Sequence, residues 1–320
     1  MDPQRPVRLG ILGTGRINGQ LLGGALVSEA VEPVAVGSRD ADRGRAFAER
    51  YGLARVHPSY EALLADPDVD AVYIPLPNSL HHPWTMAALR AGKHVLSEKP
   101  YTANPAEVDE AFDLAERSGL VLAEAFMWRH GPGARLISEL LPRVGDVATI
   151  RTSFSFVLDG GYDVRVDPSL GGGSLMDVGC YSVSGARLAA GEEPARVFGM
   201  ATWGPTGVDV RFHGLLEFPS GAVAAIASGF QSDHRGVDVV GRDGSFSLLD
   251  PWRNETPVAL VNGERLDYEP QNQYALELDD LAAAIRGERA SLLGRADALG
   301  QARTIEALYR SARQGTPVTP

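Results

Sequence analysis

The 320-residue chain contains a single cysteine, Cys180, so no internal disulfide can form and a reducing, cytoplasmic setting is expected. No run approaches the roughly 18 apolar residues of a membrane span, and no basic-then-apolar segment opens the chain, so no membrane association is expected. Positive charge is also scarce. Thirty Lys and Arg stand against 41 Asp and Glu, a formal net charge of −11. That balance argues against a nucleic-acid or anionic-membrane partner, while leaving room for a local basic pocket. The chain lacks His-Glu-x-x-His and any cysteine cluster. Apart from the adjacent His81-His82, its histidines show no ligand spacing, so no metal is expected. Gly-x-Ser-x-Gly is absent, as are internal repeats. Cys180 reads as a small buried residue.

With 44% hydrophobic and 22% charged residues, the composition suits a globular protein. The length suggests two domains. Strand-like and helix-like stretches alternate through the first third. Strands are expected at "VRLGIL" (7–12), "EPVAVGS" (32–38), "DAVYIPL" (70–76) and "KHVLSE" (93–98), with helices over 16–28, 40–51, 83–91 and 104–119. The last of these has an Asn N-cap, a first-turn Pro and a Gly stop. Such alternation implies an α/β Rossmann domain, a parallel doubly wound sheet covered by helices. Near residue 125 the pattern changes. After a helix over 135–141, strand-like runs dominate at 147–158, 196–203, 210–218 and 222–230, followed by "GVDVVG", "GSFSLL" and "PVALVNG". One helix over 174–190 interrupts them, and helices over 274–286 and 296–313 close the chain. This second part reads as an α+β domain with a large, mostly antiparallel open sheet. The expected domains are a cofactor domain over 1–125 and a substrate and oligomerisation domain over 126–320, with the last helices candidates to pack back on the first.

"GILGTGRIN" (10–18) joins the first strand to the first helix. Gly13, Thr14 and Gly15 allow a tight turn and close approach of backbone to a pyrophosphate, with Arg16 and Ile17 leading into the helix. The third position of the glycine fingerprint is Asn18, so the motif is imperfect, and a plain strand–helix turn is the alternative. After the second strand, an acidic residue would mark NAD through the ribose 2′-hydroxyl. Ser38-Arg39 stands there instead and suits a 2′-phosphate, with Arg16 as a helper. NADP is the expected cofactor. Asp40 next door keeps NAD open, and a solvated surface Arg39 is the plain alternative.

Glu98 and Lys99 end a strand at the edge expected to face the ligand crevice, and Pro100 keeps Lys99 out of the helical region. A lysine beside an oxidised nicotinamide would sit next to positive charge. Together with desolvation this would favour proton transfer. Outside that context the Glu98-Lys99 pair would be an ordinary surface ion pair. In "GGGSLMDVGCYSVSG" (171–185) a triple glycine precedes a helix, and Asp177 and Tyr181, four apart, share a face. A phenol can exchange a proton with a substrate oxygen, and Asp177 can orient Lys99 or the substrate. Equally, Ser174-x-x-Asp177 fits a capping box, and Tyr181 fits core packing.

"GILGTGRI", "LPNSLHHPW", "LSEKP", "AFMWR" and "LGGGSLMDVGCY", in this order, resemble the glucose–fructose oxidoreductase / inositol dehydrogenase / MocA (GFO/IDH/MocA) family, over nearly the whole chain. Tyr181, where many relatives have His, resembles the branch containing dihydrodiol dehydrogenases, NADP-dependent xylose dehydrogenases and sugar ketoreductases. The resemblance implies that Lys99 lies beside the nicotinamide. It implies a cofactor loop at 75–81 with Leu76, Pro77, Asn78 and His81, and a border of cofactor and substrate at Trp128 and Arg129. It further implies sugar contacts from Asp163 and Arg165, a pocket border at Tyr274, and a homodimer or homotetramer formed through the C-terminal sheet. The expected function is NAD(P)-dependent hydride transfer to or from a sugar, ketosugar or related polyol, with Lys99 and Tyr181 in proton transfer and Asp177 orienting. An NAD-dependent glycoside hydrolase on the same scaffold and a non-catalytic cofactor-binding regulator are the alternatives.

Overall fold

The computed structural model describes residues 5–161 and 163–320. In chain order the elements are β1 (Val7–Leu12), α1 (Asn18–Ala25), β2 (Val31–Gly37), α2 (Ala41–Tyr51), β3 (Arg55–His57), α3 (Tyr60–Leu64), β4 (Ala71–Ile74), α4 (His81–Arg90), β5 (His94–Glu98), α5 (Pro105–Ser118) and β6 (Leu122–Ala125). There follow α6 (Pro132–Val144), β7 (Val147–Val157), α7 (Cys180–Ala190), β8 (Arg196–Trp203), β9 (Asp209–Glu217), β10 (Val223–Gly229), β11 (Gln231–Gly241), β12 (Ser245–Leu248), β13 (Val258–Val261), β14 (Glu264–Asp267), α8 (Gln273–Ile285) and α9 (Arg295–Gln314). The chain divides into two units. One holds the residues up to His130 together with Asn272–Leu299, and the other holds Gly131–Gln271 and Gly300–Pro320.

In the first unit six strands form one sheet in the order β3-β2-β1-β4-β5-β6, every pairing parallel. The apolar run of β4, and that of β1 from Leu9 onward, follow from burial on both faces. Strand order reverses between β1 and β4, which is where an open sheet of this kind leaves a crevice at its carboxyl edge. Leu278, Leu281 and Ala282 of α8 share a core with Leu9, Ile11, Leu21 and Val36. The α8–α1 contact is close: a Cβ on Gly24 would lie 2.6 Å from Tyr274 Cβ and 2.8 Å from the Ala275 nitrogen.

In the second unit eight strands run in the order β14-β13-β12-β11-β7-β10-β9-β8. Among the described residues, only β7–β10 is a parallel pair in this sheet. Helix α7 lies on one face of this sheet. Thr152 Oγ1 on β7 donates to Ser182 O at 2.8 Å, and Ser182 Oγ donates to Ala227 O at 3.0 Å. The opposite face carries Met200, Leu215, Val223 and Val240, all exposed.

Several elements differ from the sequence expectation. The first helix starts at Asn18, so Arg16 and Ile17 stay outside it. The helix expected over 174–190 is a π-helical turn, Leu175–Gly179, continued by α7. The Ser174–Asp177 capping box does not form. Ser174 is itself helical, with φ −67° and ψ −34°, and its side chain makes no cap hydrogen bond. β3 and α3 were not legible because three and five residues are too short to show a period.

Candidate active site

β1 delivers Gly13 to the crevice edge with φ +95°, a conformation open to glycine, and its N–H donates to Gly37 O at 2.8 Å. Thr14, Gly15 and Arg16 follow, half-buried or exposed, ahead of Ile17 at the head of α1. Among the described residues no side chain caps α1, and no acid lies in its first turn, so its positive end suits an anion. The departure at Asn18 has a clear role. Its side chain is buried, and Nδ2 donates to Gly13 O at 2.9 Å, clamping the loop from below.

β2 ends at Gly37, and the buried hydroxyl of the next residue, Ser38, donates to Asp40 O at 2.7 Å. Arg39 is exposed with its guanidinium 5.9 Å from the Tyr60 ring centre. Asp40, the residue that kept NAD open, accepts from Arg43 N at 3.0 Å as the N-cap of α2. Sequence reasoning missed Arg43. Placed in the first turn of α2, it donates from Nη2 to Thr14 Oγ1 at 3.2 Å and thereby joins α2 to the glycine loop. Two guanidinium groups and a hydroxyl here, with the neighbouring carboxylate engaged as a cap, fit a 2′-phosphate better than a bare ribose diol.

Leu76, Pro77 and Asn78 form the half-buried loop after β4, with a 3-10 turn at Asn78–Leu80. His81 is buried, its Nδ1 2.9 Å from Pro100 O and its Nε2 2.7 Å from Leu76 O. Burial lowers its pKa against the pull of these two carbonyls. With both ring nitrogens on backbone, His81 ties the 75–81 loop to the segment after Lys99. Glu98 and Lys99 are half-buried at the end of β5, and the Lys99–Pro100 peptide is cis. Glu98 Oε2 accepts from the Lys99 backbone N–H at 3.1 Å, and Glu98 Oε1 accepts from the buried Tyr73 hydroxyl at 2.5 Å. Burial, then the Glu98 charge, push the Tyr73 pKa well up, so Tyr73 remains a donor. After β6, Trp128 is buried edge-on to Phe126, and Arg129 covers it at 5.7 Å while pairing with Asp297 at 3.0 Å. Tyr274, half-buried, packs at the α1–α8 contact.

The second unit holds the other candidates. Arg165 Nε donates to Asp177 Oδ2 at 2.7 Å, and its Nη1 donates to Asp163 Oδ1 at 3.2 Å. Burial opposes the charge on Arg165, but Asp177 and Asp163 outweigh it and raise its pKa. These three residues therefore form one cluster, with the guanidinium 5.8 Å from the Phe156 ring centre. Tyr181 is buried, and its ring meets Phe154 and Trp252 edge-to-face at 5.1 and 5.9 Å. Gly185, one turn on, admits Trp252: a Cβ there would meet the indole at 2.6 Å. Lys99 belongs to the first unit, and Asp177 and Tyr181 belong to the second. Among the described residues no His, Cys, Asp and Glu cluster could hold a metal, and no helix is long and apolar enough to cross a membrane.

The family model described as "Oxidoreductase family, NAD-binding Rossmann fold" matches residues 7–126, and the GFO/IDH/MocA C-terminal domain model matches residues 142–247. The chain is 40% identical over 321 residues to D-xylose 1-dehydrogenase (NADP(+)) 2 of Haloferax volcanii, covering 97% of this chain and 98% of the relative. Among solved structures, an aldose–aldose oxidoreductase from Caulobacter crescentus complexed with glycerol superposes with a TM-score of 0.90 at 30% identity, over 99% of this chain and 100% of that one. A 3-ketoreductase from Actinomadura kijaniata in complex with NADP and TDP-benzene also gives 0.90, at 29% identity, over 96% and 98%.

Proposed function

Since the chain belongs to the GFO/IDH/MocA oxidoreductase family, we propose that it is an NADP-dependent dehydrogenase or reductase working on a CH–OH group of a sugar, ketosugar or related polyol. The observation that carries the cofactor choice is the Ser38–Arg39–Arg43 edge beside a glycine loop, with Asp40 occupied as a helix cap. The near full-length similarity to a D-xylose dehydrogenase carries the substrate class.

When bound, NADP supplies the two-electron chemistry, taking or giving hydride. The chain's own residues do the rest. Gly13, Thr14 and Gly15 and the uncapped head of α1 hold the pyrophosphate. Leu76, Pro77, Asn78, Trp128 and Arg129 line the cofactor, and His81 keeps that loop in place. Tyr181 exchanges the proton of the reacting hydroxyl. Lys99 shares that task or eases the loss of the phenolic proton. Asp177, held by Arg165, orients the substrate, with Asp163, Arg165 and Tyr274 as further contacts. Pairing through the outer face of the second sheet, to a homodimer or homotetramer, would cover Met200, Leu215, Val223 and Val240. A cytoplasmic setting fits the lone buried Cys180.

The experiment is nicotinamide absorbance with purified protein, NADP or NAD, and a panel of aldoses, polyols and ketosugars run in both directions. NADP-linked turnover of a sugar, abolished in Lys99→Met with cofactor binding retained, is expected. Release of free sugar from a glycoside without net cofactor reduction would favour hydrolysis instead. Absence of cofactor binding would overturn the proposal.

A further inference from the structure

The segment that carries Asp177 and Tyr181 begins inside the protein, where its first backbone N–H groups cannot reach water. Its own Ser174 does not cap it. The acceptor comes from 35 residues downstream. Asp209, at the start of β9 and only 1% exposed, takes the Leu175 N–H at 2.8 Å and the Ser174 hydroxyl at 2.7 Å on Oδ2. On Oδ1 it takes the Tyr309 hydroxyl of α9 at 2.7 Å. Ser228 Oγ on β10 lies 3.1 Å from Ser174 Oγ and closes the group.

The triple glycine serves this arrangement. Gly173 has φ +130°, and a Cβ on it would lie 2.3 Å from Asp209 Oδ1 and 2.8 Å from the Tyr309 hydroxyl. A Cβ on Gly172 would lie 2.5 Å from the Arg165 carbonyl. The glycines thus let the capping carboxylate approach from one side and the backbone of Arg165, the partner of Asp177, approach from the other.

We propose that Asp209, held by Tyr309, is the positioning residue of the helix head that presents Asp177 and Tyr181. It touches no reacting atom. It sets where the turn Leu175–Gly179 lies, and thereby where Asp177 meets Arg165 and where the Tyr181 phenol points. This inference rests on the reading of Asp177 and Tyr181 as reaction-site groups.

The test uses the full chain with Asp209→Asn, Tyr309→Phe, and the two combined. An amide keeps the shape but turns an NH2 towards donors on one side. Turnover should fall by about ten- to a hundredfold in Asp209→Asn, the scale of a small misplacement of a reacting group. KM for NADP should stay within about twofold. Hydrogen exchange of the peptide over 171–182 should accelerate by roughly tenfold while the β7 and β10 peptides keep their protection. Tyr309→Phe should give a smaller change in the same direction, and should add little in the Asp209→Asn background. A folded Asp209→Asn with near-normal turnover and unchanged exchange over 171–182 would overturn the proposal. So would exchange that accelerates evenly across the second unit. If Asp209→Asn does not fold, Tyr309→Phe and Ser174→Ala, each removing one donor, decide by the same readouts. If the unaltered protein turns over no sugar with either cofactor, the proposed function fails, and the exchange pattern still decides the role of Asp209.

Discussion

The Tyr73 hydroxyl donates to Glu98 Oε1 at 2.5 Å, tying β4 to β5 at the residue before Lys99. The donor is buried in the sheet core and stays protonated. Tyr73→Phe leaves a carboxylate short of one donor, at a cost of about 1–3 kcal/mol. Urea unfolding should show that loss. Unchanged stability would mean that Glu98 finds a replacement donor.

Tyr181→Phe separates chemistry from packing. The Phe ring keeps the edge contacts to Phe154 and Trp252 and loses only the hydroxyl. Turnover should fall by about two orders of magnitude in a variant that still folds. Normal turnover would remove the phenol from the proton-transfer step.

Arg43→Ala addresses the cofactor. Losing a charge-assisted contact to a phosphate should weaken NADP by roughly tenfold or more and leave NAD within about twofold. Arg39→Asp should weaken NADP far more than NAD. An equal loss for both cofactors would show that this edge does not read the 2′-phosphate.

Glu277 of α8 is buried, and its Oε1 has no hydrogen-bond partner among the described residues. Burial, then the charges of Glu98 and Asp280, push its pKa well above the usual carboxylate value. The folded state therefore holds this proton after the unfolded chain has released it. The contribution to stability is complete below the unfolded pKa of 4.5 and declines as pH rises towards the folded one. Glu277→Gln should raise the melting temperature, and the gap should widen between pH 5 and pH 8. A gap independent of pH would contradict a buried neutral acid.

Gly24→Ala weighs two opposing effects. Within a helix this change ordinarily stabilises by about 1 kcal/mol. Here the added Cβ would meet Tyr274 Cβ at 2.6 Å and the Ala275 nitrogen at 2.8 Å, and a backbone cannot step aside as a flexible side chain can. Overpacking of about 1–3 kcal/mol should prevail, and the variant should melt lower. A higher melting temperature would show that α8 shifts freely.

Local signals were legible where they repeat or punctuate. The Asn104 cap, Pro105 and Gly119 bound α5 as read, and the doubly buried strands of the parallel sheet stood out as apolar runs. Contacts between distant segments were not legible. Nothing near Ser174 points to Asp209, and the serine–aspartate spacing suggested a cap that the fold supplies from elsewhere. Trp252 gives no sign in a turn that it will frame Tyr181. Arg43 could have been found, because it lies in the first turn of the helix that directly follows Ser38-Arg39, the turn nearest the cofactor edge. Asn18 looked like a flaw in a motif and is a clamp on the loop.

The first unit borrows Leu278, Leu281 and Ala282 from a segment made long after its six strands. During synthesis the nucleotide-side sheet therefore waits, with one apolar flank uncovered, until α8 leaves the ribosome. A truncated gene ending near residue 130 would express that flank as a sticky surface. Anyone grafting this cofactor module onto another catalytic half must carry two stretches of sequence, not one.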